Sequence, residues 1–115
     1  NMPSDEYRLK MKEIYKTSAE GCIALQEKVG RYGQDRMGIY RENEEEIRKV
    51  LSEMPSFEKI VEMLSRGGIV MDDFYKVYNE NQLKNAVTFA KELKDRYTCL
   101  WMYYDIFGCD TEGII

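Results

Sequence analysis

The residue types that most often serve as catalytic groups or metal ligands are scarce in this chain, and one of them, histidine, is missing. Among its 115 residues there is no histidine. The chain therefore cannot build Ser-His-Asp or Cys-His catalytic arrangements, and the usual zinc sites would lack their imidazole ligands. The three cysteines, Cys22, Cys99 and Cys109, are odd in number and form no C-x-x-C pair. We therefore expect reduced thiols in a cytoplasmic protein, without a disulfide framework or a zinc knuckle.

Two groups of acidic residues are the remaining candidates for a cation site. The first comprises Glu42 with Glu44–Glu46, and the second is the pair Asp72 and Asp73. Acids at adjacent helical positions point in different directions, so the glutamates do not converge on one ion without further ligands. The aspartates lack the alternating oxygens of a calcium loop. We interpret the glutamates as a solvated helix face and Asp72 as a helix cap.

An aromatic group near the C-terminus is the other candidate for binding: Tyr97, Trp101, Tyr103, Tyr104 and Phe107. Such a group either stacks on a ring-shaped ligand or forms part of a core, and we favour the core. Buried tyrosine and tryptophan need partners for their polar atoms. We expect Asp95, Arg96 and Asp105 to supply those partners.

Charge and hydropathy narrow the classes of partner. The net charge is −4 and the basic residues are scattered among acids, which argues against nucleic acid, since nucleic-acid-binding domains carry a basic patch. No apolar run approaches the roughly 18 residues of a membrane span. The polar N-terminus is not a signal peptide. Because Asn1 is not a natural initiator, we expect either that the chain was cut from something longer or that its first residue is left over from cloning.

The periodicity of the apolar residues predicts an all-α fold, an irregular bundle of about five to six helices in one domain spanning residues 1–115. The expected helices cover residues 5–32, 37–54, 56–66, 72–78, 80–96 and 98–107. Pro55 and the Gly67-Gly68 pair end the second and third helices. The last helix is apolar on nearly every side, which predicts either a central element or one that faces a missing partner.

One segment, AKELKDRYTCLWMYYD from Ala90 to Asp105, is specific enough to compare with known families. It resembles the C-terminus of bacterial sn-glycerol-1-phosphate dehydrogenases, members of the iron-containing alcohol dehydrogenase and glycerol dehydrogenase superfamily. The stretch Asp95–Thr98 followed by an aromatic helix contributes most to this resemblance. The stretch from Glu46 to Ser56 and the pair Phe74-Tyr75 look similar as well. The resemblance extends over most of the chain, from about residue 7 to residue 108.

The resemblance implies the end of the helical domain of a dehydroquinate synthase-like, iron-alcohol-dehydrogenase fold. In that family an N-terminal Rossmann-like domain binds NAD(P), and the helical domain holds a divalent metal through an aspartate and two histidines. The metal polarises the substrate for hydride transfer between dihydroxyacetone phosphate and glycerol 1-phosphate, a reaction of phospholipid metabolism. The chain's partners would then be the missing Rossmann-like domain and the metal-bearing helices of its parent.

This sequence departs from the family pattern because it has neither the glycine-rich nucleotide motif nor any histidine. No catalytic, cofactor-binding or metal-binding residue is therefore carried over, and NAD(P) and the metal are expected only in the full-length parent. The residues that match the family motif are assigned to structure: Asp95, Arg96, Tyr97, Thr98 and Trp101.

The leading hypothesis is therefore a structural, non-catalytic C-terminal fragment of such a dehydrogenase. Two alternatives stay open. The chain could be a freestanding interaction module with an apolar groove around Trp101, or a small ligand-binding bundle whose aromatic helix lines a pocket. A homodimer would be one way to cover exposed apolar surface.

Overall fold

The computed structural model describes residues 2–112, and every regular element in that range is helical. In chain order the α-helices are α1 Asp5–Tyr15, α2 Ala19–Lys28, α3 Met37–Glu42, α4 Glu44–Ser52, α5 Phe57–Arg66, α6 Met71–Val77, α7 Glu80–Phe89 and α8 Cys99–Phe107. Two 3₁₀ turns, Lys16–Ser18 and Ala90–Leu93, follow α1 and α7. The all-α prediction is confirmed, because these elements group into the six helical segments that the periodicity indicates.

Local backbone chemistry explains where the observed helices are shorter than predicted. Lys16 adopts φ 51° and ψ −121°, a conformation that breaks the first predicted helix between α1 and α2. The Asn43 side chain donates to the Ile39 carbonyl at 2.8 Å, so it competes with the helical backbone pattern where α3 meets α4. The predicted helix 80–96 gives way to a 3₁₀ turn after Phe89.

Helix starts follow side-chain caps at three positions. Ser4 Oγ accepts from the Tyr7 amide at 3.1 Å, and Ser56 Oγ accepts from the Lys59 amide at 3.2 Å. Asn79 and Gln82 form a reciprocal capping box at the start of α7. The prediction of Asp72 as a cap is wrong, because α6 already begins at Met71 and Asp72 lies within its first turn. Capping is a local interaction, which is why most of these starts were predictable.

The core lies between α1, α2, α7, the 3₁₀ turn Ala90–Leu93 and α8, a group of elements that we call the body. Its buried apolar residues are Tyr7, Met11, Ala19, Ile23, Tyr32, Phe89 and Trp101. Trp101 is only 1% exposed, whereas Ile106 and Phe107 on the same helix are 45% and 55% exposed. Helix α8 therefore buries Trp101 fully and exposes Ile106 and Phe107, and its remaining apolar side chains are half-buried: Leu100, Met102, Tyr103 and Tyr104.

The segment between α2 and α7 contributes much less burial. None of the fully buried apolar residues in the described part of the chain comes from α3, α4, α5 or α6. Phe57 and Ile60, which the periodicity predicts to be buried, are 69% and 41% exposed. We call residues 57–78, which include α5 and α6, the arm.

The overall dimensions reflect this open arrangement. The radius of gyration is 16.1 Å, whereas a compact chain of this length would have about 13 Å. Between residues 2 and 112, no helix combines the length and the apolarity that crossing a bilayer requires.

Candidate functional site

The most unusual feature of the body is an ion pair with no exposed side-chain surface. Lys91 and Glu92 occupy the 3₁₀ turn Ala90–Leu93, and both side chains are 0% exposed. Lys91 Nζ lies 3.4 Å from Glu92 Oε1. Charged side chains are almost never fully buried unless they are paired. The helical spacing predicted for residues 80–96 places Leu93 on the apolar face and therefore misses this pair; in the structure Leu93 is 48% exposed.

Both carboxylate oxygens of Glu92 accept hydrogen bonds from tyrosines of the N-terminal part of the chain. Tyr7 Oη donates to Oε1 at 2.5 Å, and Tyr32 Oη donates to Oε2 at 2.7 Å. Gln26 Nε2 adds bonds to the backbone carbonyls of Glu92 at 2.9 Å and Lys94 at 2.8 Å. Glu92 thereby connects α1, α2 and the segment after α2 to the C-terminal part of the body.

Lys91 is held by hydrogen bonds on one side and by aromatic rings on the other. Its Nζ donates to Tyr7 Oη at 2.6 Å and to the Thr88 carbonyl. It also lies 4.1 Å from the centre of the Tyr104 ring and 5.2 Å from that of Trp101. Rings at these distances attract an ammonium group through their quadrupoles. The amine is therefore compensated although no water reaches it.

Burial dominates the proton affinities at this centre. It lowers the pKa of Lys91, while the negative charge of Glu92 opposes that change. It raises the pKa of the Tyr7 and Tyr32 hydroxyls far above the ordinary tyrosine value, and the neighbouring Glu92 raises both further. Burial also raises the pKa of Tyr104 to about 12. The hydroxyls thus stay protonated near neutral pH and act as fixed donors.

A second polar network joins α3 to α8. Arg36 Nη1 lies 3.1 Å from both carboxylate oxygens of Asp105, and these side chains are 9% and 3% exposed. Tyr40 donates to the same carboxylate, and its hydroxyl is in contact with that of Tyr97. The guanidinium groups of Arg31 and Arg36 lie 5.5 and 5.7 Å from the centre of the Tyr97 ring.

The five motif residues predicted from the sequence fall in different environments. Tyr97 belongs to the second network, and Trp101 lies in the core. The Asp95 carbonyl accepts from Arg31 Nη2 at 2.8 Å. Thr98 is the N-cap residue that precedes α8, and its carbonyl accepts from the Trp101 amide at 3.0 Å. The structure thus brings Tyr97 and Trp101 into packing contacts of the body.

Arg96 and the side chain of Asp95 do not take part in these contacts. Both residues are exposed, and in residues 2–112 their side chains form no hydrogen bond or ion pair. Of the three expected polar partners, Asp105 alone is buried, and it binds Arg36 and Tyr40, not the aromatic residues of α8. Trp101 Nε1 is buried and has no hydrogen-bond partner among the described residues.

The acidic candidates lie on the surface. Glu44 pairs with Arg48 at 2.8 Å, and Asp73 pairs with Lys76 at 2.8 Å. In the range that the structure describes, no three side chains of the metal-binding types converge on one point. The donor set therefore does not fit the aspartate and two histidines of the dehydrogenase family.

Two of the surface depressions lie beside elements of the body. One, of about 540 Å³, lies between α1 and α7 and is lined by residues that include Tyr7, Lys10, Lys84 and Phe89. The other, which we call the α4–α8 groove, has two adjoining parts of about 290 and 370 Å³ that share Ile47, Leu51 and Met102. Trp101 lines neither depression.

The fold and these networks together define an all-helical protein with a buried ionic centre in its body and an arm whose apolar face is exposed. No family model, curated protein or solved structure matches the chain.

Proposed function

We propose that the chain is the C-terminal helical part of a metal-dependent, NAD(P)-linked glycerol-1-phosphate dehydrogenase, and that its own role is structural. The observation that carries the proposal is the segment Asp95–Thr98 leading directly into the aromatic helix α8, as in that family. The contacts of Tyr97 and Trp101 are consistent with a structural role for this motif. The cytoplasmic location belongs to the same proposal, and the free thiols of Cys22, Cys99 and Cys109 agree with it.

The α4–α8 groove is the surface through which the chain would support the rest of the enzyme. Its lining is mostly apolar, with Ile47, Leu51, Met102 and Ile106 along its length. Apolar grooves of this kind accept the apolar face of a neighbouring helix. A metal-bearing helix of the parent seated there would be fixed in position, while this chain closes one wall of the cleft.

The parent's own residues, and none of this chain's, would hold the nicotinamide cofactor and the divalent metal. The metal would supply polarisation of the substrate carbonyl when bound. The contribution of this chain is to position the neighbouring helices and to exclude water from the wall it forms.

The complete reading frame that encodes this chain gives the direct test. We expect it to encode, upstream of Asn1, a Rossmann-like half and a helical region with an aspartate and two histidines. The purified product should reduce dihydroxyacetone phosphate with NADH or NADPH in the presence of a divalent metal. Turnover by the 115-residue chain alone, or a frame that begins at Met2, would contradict the proposal.

A pair of variants in the complete protein tests whether the α4–α8 groove itself is needed for turnover. Met102→Glu places a charge in the floor of the α4–α8 groove and should abolish reduction, because an unpaired buried charge displaces the helix seated there. Leu9→Glu, at a side chain that is 67% exposed on α1, should leave turnover within about twofold, as surface changes usually do. Equal turnover in both variants would contradict the wall role.

A freestanding helical interaction module is the second candidate, favoured by the exposed apolar face of the arm. Monomeric soluble proteins rarely expose large contiguous apolar patches unless these bind something. If the reading frame begins at Met2, this candidate replaces the dehydrogenase proposal.

A further inference from the structure

Four aromatic rings of the described chain surround the ammonium group of Lys91. The rings belong to Tyr104, Tyr7, Trp101 and Phe89, and their centres lie 4.1, 5.1, 5.2 and 6.0 Å from Nζ, respectively. At such distances the face of a ring attracts a cation. Several rings around one cation are the arrangement by which proteins recognise ammonium ligands. We call these four rings the cage.

The surroundings of the cage also offer acceptors for the three N–H donors of a primary ammonium group. Tyr7 Oη accepts from Lys91 Nζ at 2.6 Å, and the Thr88 carbonyl accepts a second bond. Glu92 Oε1 lies 3.4 Å from Nζ and carries the counter-charge. A neutral group in the same place would leave a buried carboxylate without that counter-charge, which is costly. The cage is therefore matched to a positive charge with N–H donors, and not only to an alkyl chain.

The rings of the cage hold one another in place. The centre of the Tyr7 ring lies 4.9 Å from that of Phe89 and 5.6 Å from that of Tyr104. The ring of Trp101 meets that of Tyr104 edge-on, with the centres 6.2 Å apart. These contacts join α1, α7 and α8 without the side chain of Lys91. We therefore expect the cage to persist when that side chain is shortened.

The depression between α1 and α7 gives a route from solvent to the cage. This depression, of about 540 Å³, is lined by Tyr7, Thr88 and Phe89 among others. Two of these residues contribute rings to the cage, and the carbonyl of the third binds Lys91 Nζ. A small ion that enters the depression therefore lies directly beside the cage.

We propose that the cage is a binding site for a primary alkylammonium ion, which the chain fills with its own Lys91, and that it accepts a free ion of this class when that side chain is truncated. Lys91→Ala removes the atoms of n-propylammonium, so this ion is the matching ligand. The inference does not rest on the dehydrogenase proposal, because no residue of the cage lines the α4–α8 groove. The two proposals can consequently fail separately.

Urea unfolding of Lys91→Ala with n-propylammonium chloride tests the site. The variant should be less stable than the unmodified chain, because Glu92 loses its counter-charge. For so small a ligand we expect a dissociation constant on the order of 1 mM. A ligand concentration of about 10 mM should then raise the folding equilibrium constant about tenfold. The same concentration of sodium chloride or 1-propanol should change it by less than about twofold, since neither supplies an alkylammonium group that binds the native state.

Lys12→Ala is the matched control variant, because Lys12 lies on α1 with its side chain 53% exposed. Its stability should respond to n-propylammonium chloride no more than to sodium chloride. The proposal is wrong if Lys91→Ala gains no more stability from n-propylammonium than from 1-propanol, or no more than Lys12→Ala gains.

The unmodified chain gives a second readout, which does not depend on whether Lys91→Ala folds. Heteronuclear NMR of the lysine side chains should show Lys91 Nζ as a charged ammonium group at neutral pH. Its protons should exchange slowly with water, because the side chain is 0% exposed, and the neighbouring methylene protons should be shifted upfield by the rings. A neutral Lys91 amine at neutral pH, or a Lys91 signal no different from that of Lys12, would overturn the proposal.

Discussion

At the scale of single residues, Glu92 is the side chain on which most of the body converges. Removing a carboxylate and an ammonium group from water costs several kcal/mol each, and their mutual attraction recovers this only when the remaining lone pairs and protons are also satisfied. Here Tyr7 and Tyr32 satisfy the carboxylate, and Tyr7 with the carbonyl of Thr88 satisfies Lys91. The main effect of this ionic centre is therefore to fix which helices meet, and its net contribution to stability is small.

Glu92→Gln should destabilise the chain by about 3 kcal/mol, because breaking a buried pair leaves Lys91 without its counter-charge. Gln keeps the size of the side chain, so no cavity contributes to the loss. Urea unfolding followed by far-ultraviolet circular dichroism measures the change.

The control for this prediction is Glu13→Gln on α1, where the side chain is 69% exposed and paired with Lys10. It should change the free energy of unfolding by less than about 0.5 kcal/mol. Similar losses in the two variants would show that burial of Glu92 has no special cost.

The burial of Lys91 and Glu92 was not predictable from residue type or period, for a physical reason. A helical pattern spaces the inward positions by three and four residues, whereas the tighter 3₁₀ turn Ala90–Leu93 directs two consecutive side chains inward. By contrast, the caps at Ser4, Ser56 and Asn79 depend on neighbours within three residues, so the sequence alone predicts them.

At the scale of elements, the helices occur where their local sequences favour them. What covers their apolar faces does not follow from the same pattern. The spacing of Phe57, Ile60 and Leu64 predicts a helix with one apolar face, and α5 is that helix. The pattern says nothing about which surface covers the face, because that depends on other parts of the chain or on another chain. The apolar face of α5 is therefore only half-buried at Val61 and Leu64 and is exposed at Phe57 and Ile60.

Helix α2 contains a residue whose replacement should stabilise it. A Cβ added at Gly21 would meet no atom within 4 Å, so alanine gains helix propensity without a clash. We expect Gly21→Ala to raise the free energy of unfolding by about 0.5–1 kcal/mol, measured by urea unfolding.

Gly68 provides the opposite comparison for this prediction. It also has open space around it, but its φ is +88°, which side chains other than glycine rarely adopt. Gly68→Ala should therefore destabilise the chain by about 1 kcal/mol. If both alanine variants shift stability in the same direction, backbone conformation does not explain either effect.

At the scale of the whole molecule, the body and the arm contribute unequally to stability. The buried apolar residues of the described chain come from the body and from Tyr32, and the arm adds none to them. We expect replacement of residues 55–78 by a Gly/Ser linker of the same length to change the free energy of unfolding of the body by less than about 1 kcal/mol, since equal loop length keeps the closure entropy similar.

The measurement for this replacement is again cooperative urea unfolding, at a concentration low enough to keep the chain monomeric. Loss of the cooperative transition would show that the arm supports the body through contacts other than burial.

The bonds of Glu92 also govern the order in which the chain can fold. Tyr7 and Glu92 are 85 residues apart in sequence, and Tyr32 and Glu92 are 60 apart. A ribosome releases α1 and α2 long before residue 92 emerges, so these helices cannot complete their polar contacts until Glu92 has been synthesised and released. Contacts of such long sequence separation also slow the search for the native state. Until Glu92 has been released, α1 and α2 are exposed to proteases and chaperones.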